Sequence, residues 1–139
     1  MMRDDMESCR IRGAGVLLPV SALPSPYGIG TLGNAAYRFI DQLHAAGQTY
    51  WQVLPIGPTG FGNSPYQSYS AFAGNPYFID LDRLAEQGLL TQTDILKFDW
   101  GENPSCISYD QIAEHRLQLL PIAYANSTHF YPSDYMEFC

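Results

Sequence analysis

Cysteine is scarce and scattered in this sequence. Cys9, Cys106 and Cys139 are its three cysteines, too few and too far apart for a disulfide framework. No CxxC or Cys/His cluster offers a structural zinc site. His44, His115 and His129 are also dispersed, with no HExxH-type pair. Basic residues are few, seven Lys and Arg against fourteen Asp and Glu, for a net charge of −7. A chain of that sign repels phosphate backbones, and no basic stripe offsets the repulsion, so nucleic acid is a poor partner. Long apolar runs are missing too. No stretch approaches the ~20 residues of a transmembrane helix, so no membrane partner is expected. Met1 to Arg12 has no apolar centre of the kind a secretory signal needs, and its Asp4, Asp5 and Glu7 argue against a plastid transit peptide. A reducing cytoplasm is the simplest compartment for such cysteine usage. GxSxG and P-loop patterns are absent.

What is present suits a folded domain. The 139 residues are 46% hydrophobic and 15% charged, a balance that builds one core and does not suggest disorder. Aromatics reach 14%, ten of them tyrosine. Tyrosine joins a flat apolar ring to a polar tip, which serves core packing and also surfaces that meet amphipathic ligands.

Residues 1–12 read as a polar arm, and residues 13–139 as the folded part. Gly13 to Val20 (GAGVLLPV) is an apolar run of strand length, expected to be buried on both faces. The Gly/Pro/Ser-rich stretch 21–33 is a loop. Asn34 is placed to cap a helix carrying Ala36, Phe39, Ile40 and Leu43 inward, with Gly47 closing it. YWQVLPI (50–56) predicts a second strand. A long loop runs from Gly57 to about Pro76, a length usually tied to function or disorder. YFIDL (77–81) predicts a third strand, and Asp82 to Gln87 a short helix closed by Gly88. Residues 89–107 are turn-rich, with Gly101 and Pro104 as breakers. Ser108 and Gln111 form a capping-box pattern ahead of a helix over 109–120, with Ile112, Ala113, Leu117 and Leu120 inward and Pro121 ending or kinking it. Alternating strands and helices imply an α/β fold with a parallel sheet.

Three patterns carry candidate chemistry. Gly28, Gly30 and Gly33 match G-x-G-x-x-G, but Pro24 and Pro26 separate them from the strand, and no acid follows the second strand to hold a ribose. A structured turn therefore fits better than a nucleotide site. NSPYQSYSAFAGNP (63–76) gathers amides, hydroxyls and rings. Sugars show an apolar C–H face and a hydroxyl rim, so this set suits a saccharide. It suits equally an Ω-loop whose polar side chains satisfy its own backbone. Asp80 and Asp82 lie two apart and could share a strand face, as glycosidic chemistry would want of a carboxylate pair. They read better as acids at a helix start.

In combination, GVLLPVSALPSPYGIGTLG and YWQVLPIGPTGFGNSPYQSYSAFAGNPYFIDLDRL resemble the opening of amylomaltases, the 4-α-glucanotransferase family. The likeness is close over about 13–96 and looser through LKFDWG (96–101), HRLQLL and DYMEFC (134–139). It implies a partial (β/α)8 TIM barrel, comprising its first three strands with their helices and long βα loops. It implies transfer of α-1,4-glucan segments between malto-oligosaccharides by retaining double displacement, without metal or organic cofactor. The Ser-Pro-Tyr element carries glucan contact onto Ser64 and Tyr66, with Tyr66 as stacking platform and Gln67 and Asn75 as weaker candidates. The family's nucleophile, acid/base and stabilising acid would lie beyond position 139, so no catalytic residue is carried over. The chain alone is then expected to be inactive, with the remainder of the barrel as a partner. The alternative is a non-catalytic glucan-binding or regulatory module derived from that family.

Overall fold

Two short runs meet side by side because each presents alternate residues to one helix. Strand β1 (Gly15–Leu17) and strand β2 (Tyr50–Gln52) pair in parallel, with Gly15 opposite Tyr50, Val16 opposite Trp51 and Leu17 opposite Gln52. The computed structural model that shows this describes residues 12–101 and 106–127. The expected polar arm and the DYMEFC segment lie largely or wholly outside the described residues, as does Pro104.

Helix α1 (Asn34–Ala45) connects the strands. Its stop follows from Gly47, whose φ of 70° is the left-handed conformation glycine adopts freely. The Gly47 and Gln48 N–H groups donate back to the carbonyls of His44 and Leu43, a Schellman ending. Its start differs from expectation. Gly33, and not Asn34, is the capping residue, and the Asp80 carboxylate takes up the place where a Gly33 side chain would begin.

Val16 and Trp51 are half-buried toward α1, and the Phe39 and Trp51 rings meet edge-on at 5.1 Å. Trp51 Nε1–H donates to the Leu18 carbonyl at 2.8 Å, fixing the strand ends. The other sheet face is open, with Leu17 and Tyr50 more than half exposed. Burial on both faces is therefore corrected to burial on one. Ile40, expected inward, is also exposed.

The expected third strand is not a strand. Residues Pro76–Phe78 form a 3-10 turn, and helix α2 (Leu81–Glu86) follows at once. Local capping decides this. The Asn75 side-chain oxygen accepts the Tyr77 N–H at 2.9 Å, and Asp80 accepts the Arg83 N–H at 3.0 Å. Pro76 sits at the first helical position, where its fixed φ suits a turn and its missing N–H costs nothing. The apolar residues of YFIDL thus line two helical turns. Gly88 ends α2 as Gly47 ends α1, with the Leu89 N–H on the Leu84 carbonyl.

Helix α3 (Gln92–Ile95), within the stretch read as turns, has a capping box between Thr91 and Asp94. Helix α4 runs Tyr109–Asn126 and does not end at Pro121. Its buried residues are Ile112, Arg116, Leu119 and Ala123, while Leu117 is 75% exposed. Of the expected inward residues, Ile112 is buried, Ala113 and Leu120 are half-buried, and only Leu117 faces solvent, with Arg116 inside beside it. The expected capping box is also absent. Ser108 makes no side-chain cap bond, and Gln111 Nε2 donates instead to the Asp99 carbonyl at 2.8 Å.

Two apolar clusters result. Val20, Leu23 and Ala36 pack with Phe39, Trp51 and Phe78 beside the sheet. Leu81, Leu90, Ile95, Leu119 and Ala123 pack with Tyr27 between α2, α3 and α4. Among the described residues, no helix is long and apolar enough to cross a membrane.

Candidate functional site

Both strands run toward one end of the molecule, and the segments leaving them there enclose a cavity of about 110 Å³. The first loop, 18–33, supplies Ser21 and Ile29, and the second, 53–74, supplies Thr59, Asn63 and Pro65. Asn75 and Phe78 form the floor between them, and Tyr109 of α4 closes one side.

The second loop keeps its shape by local hydrogen bonds. Ser64 Oγ accepts the Tyr66 N–H and the Ser64 carbonyl accepts the Gln67 N–H, each at 3.3 Å. Ser68 Oγ donates to the Ser70 carbonyl at 2.6 Å, and Ser70 Oγ accepts the Ala73 N–H at 3.1 Å. The serines thus serve the loop's own backbone, as in an Ω-loop. The rings do the opposite. Tyr66 is 72% exposed, Tyr69 78%, Phe61 96% and Phe72 97%, so the loop presents aromatic faces to solvent while its serine hydroxyls are engaged by its own backbone.

The four expected contact residues are therefore divided. Asn75 lines the cavity and is buried. Its backbone N–H donates to the Ile56 carbonyl at 2.9 Å, and its side chain caps the 3-10 turn. Ser64 braces its loop. Tyr66 and Gln67 are exposed on it and do not line the cavity, although Asn63 and Pro65 beside them do.

Asp80 and Asp82 have structural partners. Asp80 accepts the Thr31 hydroxyl at 2.5 Å as well as capping α2. Asp82 accepts the Tyr27 hydroxyl. Burial, and then that bond to a carboxylate, push the Tyr27 phenol well above its usual range. The glycine motif is likewise filled by the chain itself. A side chain at Gly30 would begin 2.0 Å from the Val20 carbonyl, and one at Gly33 would collide with Asp80. No open cradle for a pyrophosphate remains there. Among the described residues, no group of His, Cys, Asp and Glu could hold a metal ion.

Arg116 is the residue that sequence reasoning missed. It is 1% exposed, its Nη1 donates to the Ile79 carbonyl at 2.6 Å, and its guanidinium lies 5.7 Å from the centre of the Trp100 ring. Burial lowers its pKa to about 10, against the opposing pull of Asp80 and Tyr27. The helical spacing 112, 116, 119, 123 contained the signal, since it places an arginine among apolar residues on one face.

Comparison with known proteins adds a family to this geometry. A profile of the glycoside hydrolase 77 4-alpha-glucanotransferases matches residues 18–139. The 4-alpha-glucanotransferase of Clostridium butyricum is 53% identical over 107 residues, 77% of this chain and 22% of the relative. That of Synechocystis is 46% identical over 132 residues, 92% of this chain and 26% of the relative. Among solved structures, the amylomaltase from Streptococcus agalactiae in complex with acarbose matches with a TM-score of 0.82 and 38% identity, over 91% of this chain and 25% of that one. The chain spans about a quarter of the length of the relatives it matches.

Proposed function

The chain belongs to the 4-alpha-glucanotransferase family, and from that premise we propose that it forms a glucan-holding wall of a (β/α)8 barrel enzyme. That enzyme would transfer α-1,4-glucan segments between malto-oligosaccharides by retaining double displacement, in a cytoplasmic setting. Two parallel strands joined through a helix, with one face packed on that helix and an apolar face open, are what a stretch of barrel wall would offer. Barrel enzymes work at the end where the strands finish. The cavity and the long loop both lie at that end.

The observation that carries the reading is Tyr66, a largely exposed ring on a loop braced at its root. The C–H face of a glucosyl unit stacks on such a ring, and amide and hydroxyl groups meet its rim. Ser64, Gln67 and Asn75 are the residues proposed for the rim. With the Asn75 side-chain oxygen engaged by Tyr77, its amide nitrogen is the group left for a ligand. A retaining exchange needs two carboxylates roughly 5–5.5 Å apart. Asp80 and Asp82 are committed to the fold, so this reading assigns the chemistry to other acids and needs no cofactor.

Titration of the chain with acarbose, the ligand in the matching Streptococcus agalactiae structure, tests the proposal. Wild type should bind saturably. Tyr66→Ala should bind about threefold to tenfold more weakly, with its melting temperature unchanged. Absence of binding by folded wild type would overturn the reading.

The structural engagement of Asp80 and Asp82 also favours a second reading, a non-catalytic glucan-binding or regulatory module. Maltotriose separates the two. Glucose release that depends on adding the rest of a family barrel as a second polypeptide supports the transferase. Binding that never leads to release under those conditions supports the module.

A further inference from the structure

We propose that Asp80 is a positioning residue, through which the segment 75–80 sets the two cavity loops at a fixed distance from each other. The inference rests on the glucan reading only for what those loops hold. Among the described residues, no hydrogen bond joins the first loop to the second directly. Each is instead tied to 75–80. From the second loop's root, the Ile56 carbonyl accepts the Asn75 N–H at 2.9 Å. From the first loop, the Leu32 N–H donates to the Phe78 carbonyl at 2.9 Å, and the Thr31 hydroxyl donates to Asp80.

Asp80 is the rigid end of this strap for three reasons. Both of its oxygens are used, one by Thr31 and one by the start of α2. Its carboxylate fills the space left by the missing side chain of Gly33. The preceding carbonyl, that of Ile79, is held by the buried Arg116. Thr31 is itself only 3% exposed, so water cannot readily replace its hydroxyl. A hydrogen bond to a charged, sheltered acceptor is among the stronger ones in a protein. The strap therefore couples an anchor in the first loop to an anchor in the second, through a 3-10 turn with no slack.

The test is Thr31→Val in the full chain, which keeps the side chain's shape and removes its hydroxyl. Amide hydrogen exchange should lose about tenfold protection at Leu32, beside the change, and also at Asn75, at the far end of the strap. Acarbose affinity should fall by about tenfold. Thr31→Ser should restore all three readouts to within about twofold of wild type. Ile95→Val, in the other apolar cluster, should lower the melting temperature while leaving Asn75 protection and acarbose affinity unchanged. If Thr31→Val does not fold, Thr31→Ala, which also lacks the hydroxyl, must show the same paired losses. Unchanged protection at Asn75 when Leu32 loosens, or failure of serine to rescue, would overturn the proposal. If wild type itself fails to bind acarbose, the glucan reading falls, and exchange at Asn75 still decides whether the strap exists.

Discussion

Arg116 on α4 donates one hydrogen bond to the carbonyl of Ile79, at 2.6 Å, across a sequence gap of 37 residues, while among the described residues its Nε and Nη2 have no hydrogen-bond partner. The desolvation of a buried cation weighs against its one hydrogen bond, and a well-packed apolar substitute of similar length often does as well or better. Arg116→Met should therefore hold stability within about 1 kcal/mol of wild type or exceed it. Arg116→Ala should lose about 3 kcal/mol through the void it leaves. Urea denaturation of the three proteins decides. A methionine variant as unstable as the alanine one would show that the charge itself is required.

The Tyr27 hydroxyl on Asp82 gives a dependence on alkaline pH. The folded-state pKa of Tyr27 is raised above its usual value of 10.0. Its contribution is therefore complete below pH 10 and declines as the pH climbs from there through the raised folded value. Tyr27→Phe should lose about 1–2 kcal/mol at neutral pH. The gap between the two proteins should stay constant up to pH 10 and narrow above it. Stability curves measured side by side from pH 7 to 11 would reveal a gap that instead widens, which this account forbids.

Asn75 caps the 3-10 turn with its side-chain oxygen, and its amide nitrogen is the group proposed for a glucan; a substitution separates the two. Asn75→Asp keeps an oxygen for the Tyr77 N–H and should cost little stability. Asn75→Ala removes the cap and should cost about 1 kcal/mol. If the amide nitrogen contacts a glucan, both variants lose acarbose affinity, although only one loses stability. Calorimetric melting and titration of the same samples give both answers.

Pro121 stands inside α4, where it denies the carbonyl of Leu117 its helical partner. Pro121→Ala should raise stability by about 1–3 kcal/mol. A thermal melt shifted downward would mean that the proline's ring makes packing contacts worth more than the missing bond.

These outcomes also mark what could be read from the chain beforehand. β1, α1, β2 and the Gly47 and Gly88 stops followed from apolar spacing and turn residues, because each is decided within a few neighbours. YFIDL misled because its apolar residues fit a strand, whereas the side chains of Asn75 and Asp80, reaching two and three residues forward, impose turns. Arg116 misled because a charged residue is ordinarily assigned to the outside, which put Leu117 in its place on the expected inner face of α4. In the second loop, the serines and the aromatic rings were all visible as residue types. Which of them would bind the loop's own backbone was not, since that depends on hydrogen bonds closing over two or three residues. Asp82 meets Tyr27 across 55 positions and Asp80 meets Thr31 across 49, pairings that no local pattern announces.

The bond between the Ile56 carbonyl and the Asn75 amide has a consequence for engineering. The stretch it encloses leaves and rejoins the scaffold at almost the same point, like a handle on a cup. Doubling the length of such an enclosed stretch adds only about 0.6 kcal/mol of closure entropy. The intervening residues can therefore be exchanged as a cassette, longer or shorter and with other aromatics, while the strands beneath keep their register.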